Sequence, residues 1–231
     1  MTMNKEEILK KLSKAVLQSD EKVAVQLSKD AFEAGIDPLE ILLSGAAKGL
    51  DEVGDKFEKG ELWLPELITS ADAMKGVTDF LRPHIKAQDA GGTFAKIVIG
   101  TVLGDIHDIG KTIVATMFAV SGLEVYDIGI DAKVKQFVTK AEEVGAKIIA
   151  MSSLITMSAF YMEEVINYLK DAGIRDKYYV IVGGSPISGE WAAQIGADGY
   201  AKTAAGARVL VKKLLAEGGT PPLSKPIIVQ S

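Results

Sequence analysis

From Ala95 onward, short β-branched apolar runs alternate five times with longer helical patterns, and this alternation limits the fold more than any other feature of the chain. The first run (Ile97, Val98, Ile99, Thr101, Val102) ends near Val102, and a helix follows from about Ile109 to Ser121. A short strand over Glu124–Asp127 precedes a helix over Lys133–Val144, and a third strand over Ile148–Ser152 precedes a helix over Phe160–Ala172. A strand over Tyr179–Val182, a helix around Ser188–Ile195, a strand near Gly199–Ala201 and a helix over Ala204–Glu217 complete the series. Five βα units predict a five-stranded parallel, doubly wound sheet with right-handed crossovers, Rossmann-like and of flavodoxin-like order 2-1-3-4-5. In that order the loops after strands one, three and four converge at the switch point, where such sheets bind ligands.

The first 86 or so residues read as helix alone. One stripe is Ile8, Leu12, Val16 and Leu17; Val23, Val25, Leu27 and Ala31 begin another, which Gly35 ends. Asp37-Pro38 fits an N-cap followed by proline at the first helical position, opening a third helix with Leu42, Ala46, Leu50, Val53 and Phe57. Gly60 stops it, Pro65 permits a fourth start, and Leu67, Ala71, Met74 and Leu81 line one face before Pro83. A four-helix bundle is expected over 1–87, an α/β domain over 94–217 and a C-terminal tail over 218–231. Lys86–Thr93 has the composition of a linker, and Ile227–Val229 in the tail suggests an extended segment that packs on something. The connection Glu61-Leu62-Trp63-Leu64 is too apolar for an ordinary turn. Either it packs on the bundle's core or the second domain, or Phe57 and Leu64 face outward as a lid over a flat apolar ligand.

A content of 25% charged and 48% hydrophobic residues is that of an ordinary globular protein. The net charge of −5, with Lys and Arg scattered along helices, argues against nucleic acid as a partner. The absence of cysteine excludes disulfides and thiolate metal sites. No apolar run is long enough to span a membrane, and Met1–Lys14 lacks a signal-peptide pattern, so a cytoplasmic protein is expected.

The first loop reads Gly104-Asp-Ile-His-Asp-Ile-Gly-Lys111 and holds one of only two histidines. Asp105 and His107 stand two apart, a spacing that lets a carboxylate take one ring nitrogen while the other points outward, as for a metal-binding histidine. A loop histidine that merely caps the next helix is the plainer alternative. The other switch-point loops are also unusual. Ser152, Ser153, Leu154, Ile155, Thr156, Met157 and Ser158 follow strand three, and Gly183-Gly184-Ser185 follows strand four, where missing side chains would admit a ligand to the backbone. A phosphate loop fits poorly, because five residues rather than four separate Gly104 from Gly110-Lys111 and two of them are acidic. A phosphoacceptor domain would leave His107 unexplained. A divalent-metal site of Asp105, His107 and Asp108 stays open, although such closely spaced ligands suit zinc badly.

Taken together, Asp105-x-His107-x-x-Gly110, Ser152-x-Leu154 and Gly183-Gly184 resemble the cobalamin-binding domain of methionine synthase and its relatives. Val53-Gly54-Asp55-x-Phe57, Leu64-Pro65-Glu66 and Ser70-Ala71-x-x-Met74-Lys75 resemble the helical cap of the same group. The likeness spans about residues 5–215, and the two domains alone are similar to small corrinoid proteins that serve separate methyltransferases. The resemblance implies a cobalamin or related corrinoid cofactor with His107 as the lower axial ligand of cobalt. Asp105 would hold the imidazole and Ser158 extend the triad. Gly110 would leave room for the nucleotide tail in a slot lined by Ser152, Leu154, Gly183 and Gly184, with Asp108 and Thr156 also at the site. Phe57 and Leu64 would cover the methyl-bearing face, and the bundle would swing aside about Ala87–Thr93. It implies a methyl carrier, not an enzyme on its own, with three partners: a substrate-specific methyltransferase, a second methyltransferase and a reductive activation protein. Two alternatives are a cobalamin-responsive regulator, for which no DNA-binding module is evident, and the cofactor-binding subunit of an adenosylcobalamin mutase, against which the cap bundle argues.

Overall fold

The computed structural model describes residues 4–85, 95–217 and 219–230. The chain divides into two compact units, with the boundary between Phe94 and Ala95. The expected linker, Lys86–Thr93, lies outside the described residues.

The first unit is helical: α1 (Lys5–Leu17), α2 (Glu21–Glu33), a turn α3 (Pro38–Glu40) that runs through a π segment (Ile41–Ala46) into α4 (Ala47–Glu58), and α5 (Leu64–Leu81). Local chemistry sets the ends. Asn4 and Asp20 cap α1 and α2 with their side chains, and Asp37 accepts the Glu40 N–H at 3.0 Å, with Pro38 behind it. Gly35, at φ +81°, ends α2 in a Schellman turn, Ile36 N–H reaching back to the Ala31 carbonyl at 3.1 Å.

The buried face of α2 differs from the expected one. Ala24, Ser28 and Ala31 point inward, while Val23 is exposed and Val25 and Leu27 are half-buried. Small residues face the partner helix because the backbones approach closely: a Cβ on Gly76 of α5 would stand 2.9 Å from Val25 Cγ2. Leu17 and Ala71, placed on stripes by spacing, are half-buried as well. The third helix carries a π segment that spacing did not suggest, and beside it a Cβ on Gly49 would meet the Ser13 carbonyl at 2.1 Å. Trp63 is 77% exposed rather than packed in the bundle's core.

The second unit contains β1 (Lys96–Thr101), α6 (Ile109–Val120), β2 (Glu124–Asp127), α7 (Val134–Val144), β3 (Ile148–Ser152), α8 (Thr156–Asp171), β4 (Tyr179–Gly183), α9 (Gly189–Ile195), β5 (Gly199–Ala201), α10 (Ala204–Glu217) and β6 (Ile227–Val229). All pairings are parallel, in the order β2-β1-β3-β4-β5-β6. The sheet has six strands rather than five, because the tail supplies an edge strand beside β5, with Leu223 N–H on Asp198 Oδ1 at 2.6 Å. Helix α8 begins at Thr156, four residues before the expected Phe160, which brings Ser158 into its first turn.

Side-chain alternation separates two cores. Ile97, Ile99, Ile148, Ala150 and Ile181 pack with Phe118 of α6 and Leu210, Val211 and Leu214 of α10. Val98, Ile149, Met151, Val180 and Val182 pack with Phe137 of α7 and Met162, Val165, Ile166 and Leu169 of α8. Register places Thr101 opposite Ser152 and Ser152 opposite Gly183, so the loops after β1, β3 and β4 leave the sheet in one row.

Gly49→Ala should lower the unfolding free energy by about 1–3 kcal/mol, since the added methyl has only the Ser13 backbone to displace. Urea unfolding of the two proteins checks this.

Candidate functional site

The site is built on Asp105, whose side chain is fully buried where β1 gives way to its loop. Burying a carboxylate is costly unless its lone pairs are satisfied. Here they are. Oδ1 accepts the His107 backbone N–H at 3.0 Å and pairs with His107 Nδ1 at 2.6 Å. Oδ2 accepts the Leu154 N–H at 2.6 Å and the Ile155 N–H at 3.3 Å, and the Ser153 and Ser158 hydroxyls each at 3.2 Å. Burial pushes the carboxyl pKa up, but the bonds from His107 and from the Leu154 and Ile155 backbones outweigh it and hold the group well below the usual carboxylate range. An ionised Asp105 fixes the histidine tautomer. Nδ1 carries the proton toward Oδ1, and the Nε2 lone pair is left free.

The His107 side chain is half exposed, and its carbonyl accepts the Thr101 hydroxyl at 2.8 Å. Around it stand exposed apolar side chains, Ile106 and Ile109 from its own loop and Leu154, Ile155 and Met157 from the next. A cavity of about 810 Å³ opens beside the histidine. It runs between the sheet and α6 and α10, its buried wall made by Ile99, Phe118, Ala150, Ile181 and Leu210. His107, Asp108, Gly110, Ser152, Leu154, Gly183 and Gly184 all line it.

Two glycines shape that wall. Gly184 has φ +128°, and a Cβ there would lie 1.8 Å from the Ser153 carbonyl, so no other residue fits between the two loops. A Cβ on Gly110 would meet nothing within 4 Å, so this position leaves open space at the start of α6. The neighbouring Lys111 is buried and pairs with Asp127 at the end of β2.

Thr156 lies off this wall, exposed in the first turn of α8, and Ser158 does not line it but reaches Asp105 from behind. Phe57 and Leu64 belong to the helical unit, where both are half-buried. No group of three or more His, Asp or Glu side chains gathers as a metal site among the described residues, which removes the triad of Asp105, His107 and Asp108. Ser153 was not singled out from sequence. It is the closer partner of Ser158, Oγ to Oγ 2.6 Å, and both hydroxyls reach the same carboxylate oxygen. Its signal was its place in the hydroxyl-rich run one residue past β3.

In corrinoid-free protein, Asp105→Asn should cost about 1–3 kcal/mol at neutral pH, because an amide NH₂ would face N–H donors. The native carboxyl is depressed below its ordinary 3.8, so the unfolded chain binds more protons at low pH. The contribution of Asp105 is therefore complete above that value and lost as pH falls toward the folded pKa. The gap between the two proteins should be constant near neutrality and narrow below about pH 4. Urea unfolding across that range measures it, and a gap independent of pH would refute the assignment.

Comparison with known proteins agrees with this geometry. Residues 95–209 match the family model described as a B12 binding domain, and residues 8–82 match a second model of the same description. The chain is 44% identical to a corrinoid protein of Desulfitobacterium hafniense, over 90% of this chain and 97% of the relative. It is 42% identical to trimethylamine corrinoid protein 1 of Methanosarcina acetivorans, over 87% of this chain and 94% of that one. The methanol:cobalamin methyltransferase complex of Methanosarcina barkeri contains a similar structure, with TM-score 0.77 and 25% identity, covering 91% of this chain and 80% of that one. With a helical cap, a parallel-sheet domain and both B12-binding matches in one chain, the protein belongs to the corrinoid proteins of methyltransferase systems.

Proposed function

We propose that this protein is a methyl carrier, taking a methyl group from a substrate-specific methyltransferase and yielding it to a second one. The observation that carries this reading is the half-exposed His107, its Nδ1 tied to a buried, ionised Asp105, at the mouth of the cavity beside Gly110. The residues fit a corrinoid. Nε2 is free to ligate a metal, the exposed apolar side chains of Ile106, Ile109 and Leu154 line the same cavity, and that cavity has room for a displaced nucleotide tail. When bound, the corrinoid supplies a cobalt atom able to accept and release a methyl group.

The chain's own residues do the rest. His107 would hold the cobalt through Nε2, Asp105 orients its ring, and Ser153 and Ser158 hold the far side of the carboxylate. This His–Asp–Ser array can keep a proton at Nδ1 and Oδ1, and so stabilise the imidazole whether or not Nε2 is engaged. Gly110, Ser152, Leu154, Gly183 and Gly184 would admit the tail, with Asp108 at the rim. A partner enzyme must reach the bound corrinoid to exchange the methyl group. The methyl donor is set by that partner, and a reductive activation protein restores the carrier after adventitious oxidation.

Protein mixed with hydroxocobalamin and desalted should retain the corrinoid with an absorption spectrum showing a histidine-ligated cobalt, and His107→Ala should lose that signature. Retention of no corrinoid by the wild type would overturn the reading. Gly110→Phe, which fills open space in the cavity wall, should weaken cobalamin binding by about tenfold or more while leaving cobinamide, which lacks the nucleotide tail, nearly unaffected. Equilibrium titration of both corrinoids separates the two cases.

A further inference from the structure

The segment Asp127–Ala132, between β2 and α7, runs alongside the loop that carries His107. Thr101 N–H donates to the Gly129 carbonyl at 3.0 Å, Ala132 N–H to the Thr101 carbonyl at 2.9 Å, and Asp131 N–H to the Asp105 carbonyl at 3.0 Å. It is fastened at its start as well, since Asp127 accepts the Gly129 N–H at 2.8 Å with one oxygen and pairs with the buried Lys111 of α6 through the other. Asp131 adds the side-chain contact to this backbone lattice. Its Oδ1 accepts the Gly104 N–H at 2.7 Å, so one residue grips the histidine loop on both sides of the Gly104–Asp105 peptide.

Asp131 also has φ +52°, one of two non-glycine residues in the left-handed region among those described. Glycine would adopt that conformation without strain, yet an exposed aspartate stands there. Strain at an exposed position persists when the surrounding contacts over-determine it, and here those contacts end on Gly104 and Asp105.

We infer that Asp131 is a positioning residue for the metal-facing histidine: it fixes the backbone of Gly104–Asp105 so that the Asp105 carboxylate meets His107 Nδ1 squarely. The Asp105 carboxylate is anchored to the β3–α8 loop by Leu154 and Ile155, and on the opposite side the Asp131 carboxylate holds the Gly104 N–H, next to a backbone bond from Asp131 N–H to the Asp105 carbonyl that a substitution leaves in place. With one end released, the carboxylate keeps its anchor on β3–α8 while the histidine loop shifts, and the 2.6 Å contact to Nδ1 is what gives way. The consequence for a corrinoid rests on the function proposed above; the positioning itself does not.

The test begins with corrinoid-free protein carrying ¹⁵N-labelled histidine, where only two imidazoles need be told apart and His107→Ala assigns the second. Asp131→Gly keeps the backbone conformation and deletes the carboxylate. Its thermal midpoint should stay close to that of the wild type while exchange of the His107 Nδ1 proton with water rises about fivefold, the worth of one hydrogen bond. Asp131→Asn, which retains an acceptor oxygen and tolerates positive φ, should restore slow exchange. Equal exchange in wild type and Asp131→Gly, or an Asn variant as impaired as the Gly variant, overturns the inference. Should Asp131→Gly fail to fold, exchange of the Gly104 amide in the wild type serves instead, where protection supports the contact and exchange at the free rate overturns the inference. With cobalamin bound, the histidine-ligated fraction should fall in Asp131→Gly and recover in Asp131→Asn. A wild type that binds no corrinoid would sink the carrier reading and leave the exchange experiment to judge Asp131.

Discussion

A single buried carboxylate ties the α/β unit's functional end together. Asp105 sits in the loop after β1, yet most of its hydrogen bonds come from Ser153 to Ser158 beyond β3, and the bonds from His107 together with those from the Leu154 and Ile155 backbones keep it ionised without solvent. One interaction therefore does two things that are often separate: it joins two loops into one surface, and it sets the electronic state of the histidine on that surface. Since a hydrogen bond to a charged group is worth about 1.5–3 kcal/mol, several to one buried aspartate can outweigh a desolvation penalty of several kcal/mol. The arrangement is costly to perturb at any member, so it holds the histidine in one orientation.

The sheet's topology explains why this meeting is possible. At the switch point β1 and β3 are neighbours in space, although α6, β2 and α7 lie between them in the chain. The register then lines up Thr101, Ser152 and Gly183. On the core face shared with α6 and α10 the side chains shrink toward that end, Ile148 giving way to Ala150 and Ser152, and Ile181 to Gly183. A slot forms because bulk is withheld there, with Gly110 extending it into the helix above.

Much of this was legible in the sequence. The βα alternation carried the sheet, because strand and helix periods differ and Gly or Pro marks the ends. The Asp105-x-His107 spacing carried the central pair, because two residues apart in a loop is within reach of a direct bond. What escaped has a common cause, in that it depends on partners remote in sequence. The inward face of α2 is made of Ala24, Ser28 and Ala31, which no hydrophobic stripe reveals, since close backbone approach selects small residues instead. Ser153 and Ser158 share Asp105 only because α8 starts at Thr156, and an apolar pattern beginning at Phe160 hid that polar first turn. Ile227–Val229 read as an extended segment that packs, but that its partner is β5 and that it forms a sixth strand depend on residues remote from the tail.

The hollow between the sheet and helices α6 and α10 also bears on how long the protein persists. An interior is normally packed as tightly as an organic crystal, and a gap in one face of the core forfeits dispersion contacts that its walls would otherwise make. A molecule that fills the slot acts as a piece of core supplied from outside, and by mass action its concentration adds directly to the folding free energy. Local opening of α6 and α10, and with it access for proteases, then falls as ligand becomes abundant. For a corrinoid protein, persistence is in this way coupled to the supply of cofactor through the packing of one sheet face.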